Sequence, residues 1–484
     1  MTKQDKNALN VKNISFINDI KSIAIVGPSK KRDYFFLRNH AESFKGNIYA
    51  VHPTLKEIPD FQQENIFPSL MAIPNNVDFA FIAVPPNQIL KVIDDCIEKK
   101  VKLATVFTSE FSDSGTEEGI NLEKEMLNRA KNKVRILGPN GMGLFYPKIG
   151  LAWRPKFPTT PGNVGFIAQS GGVCNIAVYS ALELGIHFSK VFSFGNGADL
   201  DFVDLLYFLS NDTETDIILC YIEGIKEGRS IDLQKVLAQN KKPIVVLKGG
   251  RTKTGSIAAK THTASISGDT RIWEALFRQH NLIVVDTLEQ LLFTAHLIDC
   301  YGIFDLTNIA VFSISGGYGV IMVDLIEKEG INVPPFSPNI QAQLNERFFM
   351  PGTSPKNPLD LAAQFFHVQT VREIIDLALS DNNIDGLIMD LPSFYFSRHF
   401  RLKTDLAFVN DMIEILSLGH KYRKPLIPII QHVNCPEERA QVSKKLIERK
   451  IPVFANPLEV IPLLSKITKY KRNLLQNPNF FLKS

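Results

Sequence analysis

Asn163–Ile186 reads NVGFIAQSGGVCNIAVYSALELGI, and 145 residues further on Asn308–Ile331 reads NIAVFSISGGYGVIMVDLIEKEGI. Eight of the 24 positions are identical without a gap, Ser-Gly-Gly among them. Each copy is an unbroken apolar run of strand length, a turn of small residues, and a helix-length stretch that closes near a glycine. An apolar run without alternation predicts a strand buried on both faces, the signature of a parallel sheet. Two copies of this length mean a duplicated α/β domain, not a solenoid. Any two parallel α/β domains share the order strand, turn, helix; the matching serines and glycines at the turn are what favour a shared task.

Outward from the repeat the same alternation continues. Strands are predicted at 22–27, 47–51, 78–84, 103–107 and 135–138 before the first copy. Around and after it they are predicted at 164–168, 191–194, 217–222, 244–247 and 282–285. Helical periodicity fills 88–99 and 117–131, and a basic helix is predicted around Lys466–Leu475. Arg154-Pro155-Lys156-Phe157-Pro158-Thr159-Thr160-Pro161-Gly162 blocks any continuing helix or central strand, so a boundary is expected there. Three α/β domains follow, over 1–155, 162–302 and 307–484.

Length agrees, since 484 residues exceed what one hydrophobic core serves. An apolar fraction of 45% and a charged fraction of 21% are ordinary for a globular chain. Lys and Arg total 54 against 50 Asp and Glu, a net of +4 spread over the whole length. That is no nucleic-acid footprint, which needs clustered basic residues. The polar start, the lack of an eighteen-residue apolar span and five scattered cysteines without CxxC predict a cytoplasmic protein. Neither a membrane anchor, a disulfide framework nor a metal site is expected.

Chemistry is concentrated at strand ends. Ser170-Gly171-Gly172 and Ser315-Gly316-Gly317 each close a strand and open a helix. Unpaired amides and the positive end of the helix dipole make such a turn a phosphate site, with the serine hydroxyl as a further donor. The first strand ends in Gly27-Pro28-Ser29 before Lys30-Lys31-Arg32, without a GxGxxG fingerprint. The second ends Val51-His52-Pro53 and lacks the carboxylate that would hold a ribose, which argues against a nicotinamide dinucleotide oxidoreductase. The basic triplet suits a polyphosphate ligand and suits a solvated turn equally. Lys248-Gly249-Gly250-Arg251 leads through Ala258-Ala259-Lys260 to Thr261-His262-Thr263, whose small hydroxylated surroundings predict a mobile loop presenting an imidazole.

These pieces, with Val84-Pro85-Pro86, Gly138-Pro139-Asn140 and Asn357-Pro358-Leu359-Asp360-Leu361, stand in one order along the chain. Together they resemble the nucleoside-diphosphate-forming acyl-CoA synthetases, relatives of succinyl-CoA synthetase, over about residues 21–470. The resemblance implies a coenzyme A-binding Rossmann domain followed by two flavodoxin-like parallel α/β domains. It implies interconversion of acyl-CoA, phosphate and ADP with a small carboxylic acid, coenzyme A and ATP, through an acyl phosphate and a phosphohistidine.

By motif, that histidine is His262, and Glu223 is the carboxylate that holds its ring. The two Ser-Gly-Gly turns are the helix ends that stabilise the phosphoryl group. Coenzyme A is expected along Gly27, Pro28, Ser29, Lys30, His52, Pro53, Val84, Pro85, Pro86 and Asn140, and acyl specificity near Trp153. The chain departs from the family pattern at Gly141, where many members carry cysteine, and at His52, where they carry asparagine. Lys30-Lys31-Arg32-Asp33 also replaces a loop that usually holds another glycine. No stretch corresponds to the ATP-grasp module that binds nucleotide and Mg²⁺. Mg-ATP or ADP is therefore expected through a separate β subunit, in an α₂β₂ assembly. The competing reading is a catalytically quiet coenzyme A-binding regulatory or scaffolding relative of the same fold. Retention of His262, Glu223 and both turns argues against it.

Overall fold

A computed structural model of the chain describes residues 9–263, 269–396 and 406–476. Three sheets organise it. In the first, β1 (Ser22–Val26), β2 (Asn47–Val51), β3 (Ile66–Phe67), β4 (Phe79–Ile82), β5 (Leu103–Val106) and β6 (Arg135–Leu137) take the order 3-2-1-4-5-6. This is the Rossmann arrangement, with its switch point between β1 and β4.

The second sheet contains β7 (Gly143–Phe145), β8 (Val164–Ala168), β9 (Phe188–Ser193), β10 (Ile217–Ile222), β11 (Ile244–Lys248) and β12 (Ile283–Val285). Its order is β12-β11-β10-β8-β9-β7, the flavodoxin order 2-1-3-4-5 for the parallel strands, with β7 antiparallel at the edge beside β9. The third places β13 (Ile309–Ser313) between β14 (Leu359–Asp360) and β15 (Gly386–Asp390), with β16 (Leu426–Ile429) outside β15. β8 and β13 lie 145 residues apart at both ends, as do the helices Gly171–Glu183 and Gly316–Lys328 that follow them. The internal repeat is thus a repeat of the switch-point strand and its helix.

The apolar runs form strands because both faces of each are covered: β1, β8 and β13 are buried at every position. The chain divides into two compact units, one holding the first two sheets through Leu288 and the other holding the third. Within the first unit a single buried cluster runs from Ile23, Phe79 and Leu103 through Leu144 and Tyr146 to Phe192, Leu206 and Ile218. The proline-rich bridge lies inside this unit. Phe157 packs against Phe145 and Trp153, and the Tyr179 hydroxyl donates to Pro155 O at 2.9 Å. Proline stops secondary structure there, but apolar contacts hold the segment down.

Two features escape sequence reading. β7 is three residues long, and its pairing with β9 is a long-range event that no local pattern announces. The segment expected as a mobile loop is a helix, Lys253–Thr263, and His262 lies in its last turn. Thr252 caps it, its hydroxyl accepting from Gly255 N at 3.0 Å, and Ile257-Ala258-Ala259-Lys260 supplies helix formers. The side chain of His262 lies outside the described residues, as do residues 264–268.

A buried ion network pins the edge of the second sheet. Lys190 Nζ, from β9, is fully buried and donates to Asp212 Oδ2 at 2.8 Å and Glu214 Oε2 at 2.7 Å. It also lies 4.5 Å from the Tyr146 ring centroid, and the Tyr146 hydroxyl donates to Glu214 at 2.8 Å. Burial alone would raise the Glu214 carboxyl, but hydrogen bonds from Lys148, Lys190 and Tyr146 outweigh it and hold the group at about 2. The Glu214 contribution to stability is therefore complete above its unfolded value of 4.5 and is lost as pH falls through about 2. Lys190→Met strands the carboxylates and is expected to cost about 3–5 kcal/mol in urea unfolding; a loss below ~1 kcal/mol would show that packing alone holds this edge.

Candidate active site

Parallel strands all end on one side of their sheet, and ligands gather outside those ends at the switch point. In the first unit a cavity of about 1490 Å³ occupies this position. Gly27, Pro28, Ser29, Lys30, His52, Pro53, Val84, Pro85 and Asn140 line it, together with Ser170, Gly171 and Gly172. Pro86 is not among the lining residues; it is the first residue of the helix Pro86–Glu98, where its missing N–H costs nothing. The fold thus brings the candidate coenzyme A residues and the first Ser-Gly-Gly turn to one space.

Each wall has a local cause. Gly27 adopts φ +86°, and a Cβ there would lie 2.7 Å from Ala83 O and from Val84 Cγ1, so only glycine lets β1 exit beside β4. His52 Nδ1 accepts from the amides of Thr54 and Leu55, each at 3.3 Å, and partial burial lowers its pKa. The imidazole is therefore a neutral acceptor that shapes its own turn. Gly141 passes so close to β9 that a Cβ would sit 2.6 Å from Ser193 O. Met142 N donates to Ser193 Oγ at 3.1 Å, and its side chain closes the space in front of Gly171.

Sequence reading did not assign Arg154, Lys91 or Asn175 to the lining. Arg154 lies 5.4 Å over the Phe35 ring. With Lys30, Lys31, Arg32 and Lys91 against Asp95, the lining carries a positive excess suited to a polyphosphate. Its signal in the sequence was one of two cations, with Lys156, in a proline-braced segment. Trp153, expected near the acyl group, is instead fully buried; its Nε1 donates to Asn175 Oδ1 at 2.9 Å and so orients a residue that does line the cavity.

At the end of β8 the helix Gly171–Glu183 opens. Ser170 Oγ accepts from Val173 N at 3.4 Å, and Ser170 O accepts from Cys174 N at 3.1 Å. The amides of Gly171 and Gly172 have no acceptor among the described residues. Next to this turn, β10 delivers Glu223, which is 5% exposed. The Tyr221 hydroxyl donates to Glu223 Oε1 at 3.0 Å, and Lys248 Nζ donates to Glu223 O at 2.7 Å. Burial pulls Lys248 down to about 8 against the attraction of Glu223. Lys248 ends β11, the strand that leads to the helix bearing His262.

The second Ser-Gly-Gly turn belongs to the other unit and has different neighbours. Ser315 makes no side-chain cap, and a Cβ on Gly316 would lie 2.4 Å from Asp360 Oδ2. Behind it Asp390 accepts from Gln431 at 2.5 Å and from Ser313 Oγ at 3.3 Å; burial raises it to about 6. Carboxylates thus crowd this helix end, whereas cations line the cavity at the first. Asn357 explains the motif that carries Asp360: its amide donates to Ile309 O and Pro334 O and accepts from Val311 N, stapling β13.

Residues 21–147 match the family described as a CoA binding domain, and residues 161–298 match the succinyl-CoA ligase like flavodoxin domain. The α subunit of ADP-forming acetate–CoA ligase II from Pyrococcus furiosus is 35% identical over 373 residues, 76% of this chain and 80% of that one. An ADP-forming acetate–CoA ligase of Methanocaldococcus jannaschii is also 35% identical, over 72% of this chain, which spans about half (49%) of its length. A dinucleotide-forming acetyl-coenzyme A synthetase 1 of Ca. Korarchaeum cryptofilum, solved with phosphate and ADP, superposes with a TM-score of 0.81. That likeness covers 97% of this chain and 98% of that one, at 29% identity. With both domains, their sheet orders and a relative matched over four fifths of its length in agreement, the chain belongs to the family of ADP-forming acetate–CoA ligases, which are acid–thiol ligases.

Proposed function

We propose that the chain is the α subunit of a cytoplasmic ADP-forming acyl-CoA synthetase, acting through a phosphohistidine at His262 with an ATP-grasp β subunit supplied in trans. Its domains in this reading are 1–155, 162–302 and 307–484. The observation that carries the proposal is the meeting, in one cavity, of the proposed coenzyme A residues with a helix end whose foremost amides have no acceptor among the described residues. Glu223 stands on the adjacent strand.

A polyphosphate ligand enters along Gly27–Lys30, with Lys30, Lys31 and Arg32 as counter-charges, and its thioester reaches toward Asn140 and Met142. Inorganic phosphate at Ser170-Gly171-Gly172 attacks the thioester carbonyl; the C–S bond breaks and coenzyme A leaves as thiolate. The acyl phosphate then gives its phosphoryl group to a neutral imidazole nitrogen of His262. The P–O bond to the acyl group breaks and the carboxylate departs. Amides fixed at a helix end stabilise the charge spread over the phosphoryl oxygens without reorganising. Glu223 is the group that would hold the other ring nitrogen, and Tyr221 fixes one of its oxygens. The phosphoryl group passes to ADP on the partner. The Methanocaldococcus relative, about twice the matched length in one chain, supports a module supplied separately here. Ser315-Gly316-Gly317 is the second helix end that stabilises the phosphoryl group in this reading, and an α₂β₂ assembly is its natural stoichiometry.

With a candidate β subunit, Mg²⁺ and labelled ATP, acid-labile and base-stable label is expected on the wild-type chain and none on His262→Ala; equal labelling of the mutant overturns the mechanism. Wild type that binds coenzyme A and never labels would instead be the quiet relative. Glu223→Gln is expected to slow labelling by roughly 10²-fold with coenzyme A affinity unchanged, measured by quench-flow and calorimetry. Loss of coenzyme A affinity would place Glu223 in the wrong role.

A further inference from the structure

Gln169, the residue before the first Ser-Gly-Gly turn, is only 3% exposed yet lines the cavity. Its Oε1 accepts two backbone bonds, from Glu223 N at 2.9 Å and Gly224 N at 3.3 Å. Only an oxygen can accept from two amides, so the orientation of the side-chain amide is settled by its partners. The Nε2 group is left with two N–H donors and no acceptor among the described residues, and it is not sealed from solvent. Gln169 lines the same cavity as Gly171 and Gly172, whose amides likewise have no acceptor among the described residues.

The internal repeat supplies an independent comparison. Position 314, equivalent to 169, is Ile314, buried at the same strand end before the same kind of helix. The strand–turn–helix unit therefore forms without a polar side chain here. A buried amide half satisfied by backbone and half turned to a cavity is costly unless a water or a ligand completes it.

We infer that Gln169 Nε2 is a direct side-chain donor to the phosphate or phosphoryl group held at Ser170-Gly171-Gly172. Through its other end the same amide sets the backbone of Glu223, so one rigid group ties the phosphate position to the strand end that carries the supporting carboxylate. The inference rests on the proposed reading of this turn as the phosphate site.

Gln169→Glu keeps the acceptor for Glu223 N and Gly224 N, removes the donors and adds a negative charge; Gln169→Leu removes donors and acceptor without adding charge. Inorganic phosphate and coenzyme A are titrated calorimetrically into the wild type and both variants, at about 0.1 M and about 0.5 M KCl. Both variants are expected to lose phosphate affinity by roughly tenfold or more at either salt, with coenzyme A affinity kept. Gln169→Leu alone should lower the melting temperature, through the orphaned Glu223 amide. Wild-type phosphate affinity in Gln169→Glu, or a loss that salt restores, overturns the assignment and leaves Gln169 a backbone staple. If the wild type binds coenzyme A but no phosphate, the reading of the turn itself fails.

Discussion

Everything at the site depends on where β8 lets go of the sheet. β8 is the switch-point strand, paired to β9 on one side and β10 on the other, and it passes directly into a helix. The neighbouring connections leave in opposite directions, and the first amides of the helix have no acceptor among the described residues. Gly171 has no Cβ because Met142 occupies that space. Gln169 reaches sideways to β10. A single strand exit therefore sets the proposed anion site, the carboxylate beside it and the floor of the cavity.

The duplication repeats that geometry without repeating its electrostatics. Both copies build the same strand, turn and helix at a constant offset. In the first unit the turn meets a cavity lined by cations; in the second it meets Asp360, with buried Asp390 behind. Backbone shape is inherited with the fold, while charge is chosen by side chains from distant segments. The first copy is thereby equipped to hold an anion from the start, and the second has carboxylates of its own competing for the dipole.

Much of the fold was legible because burial on both faces leaves no alternation to misread. The expected strands 47–51, 164–168 and 217–222 match the observed limits, and most others differ by one or two residues at an end. Legibility failed where tertiary contacts decide. Gly143-Leu144-Phe145 is too short to announce a strand, and its antiparallel partner lies far along the chain. The segment before His262 has loop-like composition, yet a threonine cap and a short run of helix formers suffice. Arg154 and Phe157 looked like linker residues because proline punctuates them. Proline dictates only backbone angles, and the aromatic contacts of Phe157 tie the segment into the unit.

By itself the sequence determined the class of sheet, the duplication, the strand-end turns and the order of motifs, since each is written in local spacing and burial pattern. The tertiary structure alone decided which of those motifs share a space. It put nine of the ten proposed coenzyme A residues and one of the two glycine turns on a single cavity, left Pro86 and Trp153 outside it, and supplied Arg154, Asn175 and Gln169. The reason is geometric. Parallel strands project their ends to one side of the sheet, but which ends become neighbours depends on strand order, and strand order is settled by packing across the whole unit.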